Sequence, residues 1–96
     1  VALFSEEILA YAHEDHEYDL KQFRIAPGNP LIGVPYEKAF FDLKKQCNVI
    51  LTGIVKLTHG QRHFHKNPEG DIRIEENDYL VMMMDRKGQV RLKKVF

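Results

Sequence analysis

The residues best suited to chemistry are three histidines close together, His59, His63 and His65. On a strand, positions two apart project from the same face, so His63 and His65 could offer two imidazole nitrogens to a divalent ion, with His59 near the adjoining turn. The same His-Phe-His alternation also describes a solvated or interfacial hairpin face, and both readings stand. His13-Glu14-Asp15-His16 carries the same two readings within a charged connector. Cys47, the only cysteine, closes an apolar helical stripe where burial is the ordinary outcome, and no exposed electropositive setting that would activate a thiolate can be read around it. There is no nucleophile elbow, phosphate-binding glycine loop or dinucleotide fingerprint. The residues therefore point away from an enzyme.

A chain of 96 residues supports one small domain. Its 14 basic and 14 acidic side chains cancel, so it lacks the footprint that phosphate backbones or anionic lipids attract, and nucleic acid is not an expected partner. One cysteine excludes an internal disulfide, and no apolar run is long enough to span a bilayer; the reading is a protein of reducing cytosol.

The elements follow from period and punctuation. Phe4, Ile8 and Tyr11 share one stripe, so Val1–His13 reads as a short amphipathic helix, with residues 1–17 forming a connector ahead of a lobe at 18–96. No capping residue precedes that helix, which is expected to continue a longer chain and to dock its stripe on a partner. Tyr18–Ala26 alternates as a strand, stopped by Pro27-Gly28-Asn29-Pro30. Pro35 opens the main helix, with Tyr36, Ala39, Phe40, Leu43 and Cys47 on its buried face. Phe41 lies about 140° from that stripe, as either an interface residue or a singly exposed aromatic. Asn48–Leu57 is apolar on both faces and suits a central strand, Arg62–Lys66 returns as a hairpin, Asp71–Ile74 alternates, and Tyr79–Met84 is a second doubly buried strand. Met82-Met83-Met84 is core packing rather than a soft-metal patch. The tail Gln89–Phe96 fits either a strand or a short helix, and helix is the reading preferred. The sum is an α+β layout, a mostly antiparallel sheet with one main packed helix plus an N-terminal helix.

Within this order, Asn29-Pro30-Leu31-Ile32-Gly33 before the helix, the Asn48–Lys56 strand, Asn67-Pro68, and Ile74-Glu75-Glu76-Asn77-Asp78-Tyr79-Leu80 before the last core strand resemble the TrkA-C family, the C-terminal lobes of RCK (regulator of potassium conductance) domains. The resemblance covers about Leu20 to Asp85. Asn77 stands where the family usually has glycine, and asparagine best tolerates the left-handed backbone such a turn needs. Asn29 replaces a serine, and either side chain can close a local hydrogen bond to the backbone. The hairpin Thr58–Lys66 is longer and richer in histidine than the family pattern.

The resemblance implies a cytoplasmic, ligand-sensing regulatory lobe of a potassium channel or transport system. It would work as a homodimer beneath an upstream nucleotide-binding N-lobe and a membrane potassium pore, through a shift between dimer geometries. It implies cyclic di-AMP or a divalent cation as regulatory ligand, with Asn48, Val49, Asn67 and Pro68 as ligand contacts. Phe4, Ile8, Tyr11 and Phe41 are the expected dimer-interface residues. A small histidine-based metal protein and a purely structural dimerisation module are the alternatives.

Overall fold

The computed structural model describes residues 4–7 and 18–96. The strands are β1 (Phe4–Glu7), β2 (Asp19–Ile25), β3 (Ile50–Thr58), β4 (Gln61–Lys66) and β5 (Tyr79–Met84), and the helices are α1 (Tyr36–Cys47) and α2 (Arg86–Val95). They form one five-stranded sheet in the order β1-β2-β5-β3-β4, antiparallel at every pairing. The expected α+β architecture, with α1 packed on an antiparallel sheet, is therefore present.

Two elements are corrected. Phe4–Glu7, expected within an amphipathic helix, is a strand paired to β2 from Phe4↔Ile25 to Glu7↔Gln22. A short isolated helix gains little in water, whereas the outer edge of β2 offers a row of backbone groups that a four-residue strand can satisfy. Ile8 and Tyr11 lie outside the described residues. The second helix of the lobe is α2, at the C-terminal side, where the tail takes the helical alternative and Asp85 caps it by accepting from the Gly88 N–H at 2.7 Å. Asp71–Ile74 is not a strand: among the described residues its sheet-like pairing is the single bridge Pro35↔Arg73, closed by Tyr36 N–H to Ile72 O at 2.7 Å and Ile74 N–H to Val34 O at 3.0 Å, and the partner segment turns into α1 at Tyr36.

The core lies between the sheet and the two helices. Phe23, Leu51, Ile54, Leu80, Met82 and Met84 meet Tyr36, Ala39, Leu43, Cys47 and Leu92 in one buried cluster. Alternation then places Gln22, Val55, Phe64, Tyr79 and Val81 on the opposite face. That face has its own cover. Arg62 reaches across it, donating from Nη2 to Gln22 Oε1 at 2.6 Å with its guanidinium 4.8 Å from the Tyr79 ring centroid. A bulge at Leu51/Gly53 bends β3, and Gly53 is required there, since a β-carbon would strike the Phe64 ring and approach His65 O to 2.7 Å.

Candidate functional site

Chain punctuation sets two depressions at opposite ends of α1. At its N-terminal end, Pro35 is the N-cap, with extended backbone, one position earlier than a proline serving as the first helical residue. The freed donors of the first turn find loop carbonyls: Tyr36 N–H donates to Ile72 O at 2.7 Å and Glu37 N–H to Gly70 O at 3.1 Å. These bonds lay the Asn67–Gly70 turn beside the helix. Asn67 takes φ 42° as β4 ends, while its N–H closes the hairpin ladder on Thr52 O at 2.8 Å.

Between helix and turn runs an open groove of about 230 Å³, lined by Tyr36, Glu37, Phe40, Phe41, Asn67, Pro68 and Gly70. Its wall is a run of three rings, Tyr36 to Phe40 at 5.9 Å between centroids and Phe40 to Phe41 edge-on at 5.8 Å. Tyr36 is fixed from beneath by its hydroxyl, which donates to Leu51 O at 2.7 Å, and burial pushes its pKa up. Phe41, by contrast, is 62% exposed. Glu37 is the only carboxylate in the lining, which carries no basic side chain, so the groove suits a flat, largely apolar group meeting a few polar atoms.

At the C-terminal end, Asn48 caps α1 in the left-handed conformation, and it lines a polar depression of about 190 Å³ with Cys47, Asp85, Lys87, Gly88 and Arg91. Its side-chain oxygen is held by Lys44 Nζ at 2.6 Å. Val49 is fully buried, its N–H donating to Leu43 O at 3.2 Å. The structure thus brings Asn67 and Pro68 together in the groove and sets Asn48 and Val49 apart from them, at the other end of the helix. Cys47 is buried, and burial raises its thiol pKa more than Arg91 lowers it, the opposite of an activated nucleophile.

The three histidines do not meet as one site, and among the described residues no group of three or more His, Cys, Asp and Glu side chains is placed to hold a metal. His59 occupies the hairpin turn at φ 51°, while His63 and His65 share a face of β4 opposite Lys56 and Ile54.

A further cluster was hidden from sequence reasoning. Lys56 Nζ donates to Asp78 Oδ2 at 2.6 Å, Glu75 Oε1 at 2.9 Å and Arg73 O at 2.9 Å, and Asp78 Oδ2 also accepts the Glu75 N–H at 2.8 Å. Burial works against the Lys56 charge, but the hydrogen bonds and charges of Asp78 and Glu75 outweigh it and hold its pKa above the ordinary lysine value. The hydrogen bond from Lys56, and then its charge, lower the Glu75 pKa. Joined through Lys56 and the backbone, the cluster is a clamp that ties β3 to the turn before β5. Asn77, at φ 71°, makes that turn in the left-handed conformation expected of it.

No family model matches the sequence, and no curated protein does. Among solved structures, the crystal structure of the GsuK RCK domain is similar over 97% of this chain, at a TM-score of 0.65 and 12% identity. The GsuK channel is similar over 93% of it, at a TM-score of 0.61 and 11% identity. The chain spans 18% and 14% of the lengths of those two proteins. At such identities the likeness is one of fold: the chain folds as an RCK C-lobe-like unit.

Proposed function

We propose that this chain is a regulatory, ligand-sensing lobe of a potassium channel or potassium transport system, cytoplasmic and without chemistry of its own. The observation that carries this reading is the fold match to an RCK domain over almost the whole chain, by a unit that makes up less than a fifth of the larger protein. In this reading the lobe pairs with a second copy beneath an N-lobe and pore, and a bound ligand favours one dimer geometry over another. The groove at the N-terminal end of α1 is where the ligand docks. Asn67 and Pro68 offer polar and apolar edges there, and Phe40 and Phe41 a face on which a planar base can stack. Cyclic di-AMP or a divalent cation is the ligand class. No described helix is long and apolar enough to cross a membrane, so the pore would belong to another segment or chain.

The test is calorimetric titration of the chain with cyclic di-AMP and separately with magnesium and calcium, alongside sedimentation velocity. A saturable heat with one of these, weakened by Phe41→Ala, is the expected result. A chain that stays monomeric and gives no heat with any of them overturns the reading.

A further inference from the structure

Strand β4 is a sheet edge: it pairs with β3 on one side, and among the described residues nothing pairs with it on the other. The ladder begins at Thr58↔Gln61 around the two-residue turn His59-Gly60, whose φ values of 51° and 78° suit a tight hairpin. It still points inward at residue 67, where Asn67 N–H reaches Thr52 O. Antiparallel pairs alternate, so residues 61, 63, 65 and 67 hydrogen-bond towards β3, and the backbone groups of Arg62, Phe64 and Lys66 face the free edge. That edge is self-complementary. A second β4, antiparallel about a twofold axis at Phe64, would exchange hydrogen bonds Phe64 to Phe64 and Arg62 to Lys66.

The same axis sets His63 of each copy directly across from His65 of the other, all four on one face of the joined sheet. Along a strand, their β-carbons are about 6.6 Å apart, and across a strand pair about 5 Å. Imidazoles rising from such a rectangle can converge on one ion at about 2.0–2.1 Å from each nitrogen. One copy holds two of these donors, in keeping with the lack of a complete site among the described residues. Lys56, the cross-strand neighbour of His63, has its ammonium turned into the clamp with Asp78 and Glu75, so its charge is already compensated.

We propose that His63 and His65 are one half of a borderline-soft divalent metal site, suited to zinc, which a second copy of the chain completes across the β4 edge. The flanking charges make the pairing conditional. Arg62 would face Lys66 of the second copy twice, and like charges directly opposite oppose pairing. The ion supplies what the bare edge lacks. His59, in the turn beyond the ladder, takes no part. The inference stands on the hairpin alone and does not depend on the ligand groove.

The experiment is addition of zinc chloride to the chain, followed by sedimentation velocity and by elemental analysis after gel filtration. Expected are a doubling of mass with about one zinc per two chains, reversal by EDTA, and loss of the effect in both His63→Ala and His65→Ala, while His59→Ala pairs as the parent does. Circular dichroism of the two histidine variants should be unchanged, since both side chains lie on a largely exposed strand. Three results each overturn the proposal: zinc that leaves the mass unaltered, zinc bound one per chain without pairing, or pairing that survives loss of His63 and His65. A dimer that forms equally with and without zinc also overturns it, yet leaves the regulatory reading standing.

Discussion

The sheet has two unlike ends. Around β5, both neighbours are strands and both helices cover one face, so Leu80 and Met82 are fully buried and Val81 nearly so. Around β4, β3 is the one neighbouring strand among the described residues, and five of the six β4 residues are exposed. The first end is held by apolar burial, which is non-directional and large; the second by a turn, a backbone ladder and one ring laid over a glycine. Stability is concentrated in the half carrying the helices, while the hairpin and the groove mouth beside it are free to be shaped for contact with something else.

Breaking the covered half should give the largest effect. Leu80→Ala empties a site closed on all sides and is expected to cost about 2–5 kcal/mol, measured by urea denaturation with all probes moving together. Asp78→Ala should come next, at about 2–3 kcal/mol, because it strips the Glu75 N–H of its acceptor and the half-buried Lys56 of its shortest partner. Gly53→Ala sharpens the contrast between the halves. It should cost about 1–3 kcal/mol and displace β4 while the β2-β5 ladder persists, seen as loss of the Val55–Phe64 cross-strand signals by NMR. Adding Phe64→Ala should not restore it, since the His65 carbonyl still obstructs the new methyl group. The smallest effect is that of pH on the clamp. Glu75 has a lowered folded pKa, so its contribution is present above the unfolded carboxylate value and fades as pH falls through the folded one. Lys56 has a raised folded pKa, so its contribution holds below the unfolded lysine value and fades as pH rises through the folded one. A thermal melt across pH should show a shallow plateau between the two limits, and Glu75→Gln should flatten its acid side; Glu75 is too exposed for more than a minor change.

Legibility follows the same division. α1, β3 and β5 were plain in the sequence because each buries a regular stripe or run, and burial imposes period. The local signals at Asn29 and Asn77 were also sound: Asn29 Oδ1 accepts the Leu31 N–H at 2.8 Å, and Asn77 sits at positive φ. β1 was missed because a short edge strand is specified by its neighbour's unpaired backbone rather than by its own side chains. Of the groove, Asn67 and Pro68 were named through family resemblance, but Tyr36 and Phe40 were assigned only to the core stripe, as helical period does not reveal where a stripe surfaces beside a turn. The Lys56 clamp joins residues 19 and 22 positions apart, a separation to which local pattern is blind.

The place of β5 bears on how the chain is made. It is the middle strand of the sheet but the last to leave the ribosome, after both strands that flank it. Until Tyr79–Met84 emerges, β2 and β3 have no strand between them, and the apolar faces meant for Leu80 and Met82 stay open to solvent. The nascent lobe therefore cannot close its sheet before β5 emerges, and closing it is the insertion of one strand between two waiting edges, with α2 still to pack. Chains stopped short of residue 79 would carry two adhesive edges each, and a peptide spanning Tyr79–Met84 supplied separately is the piece that would fill the gap.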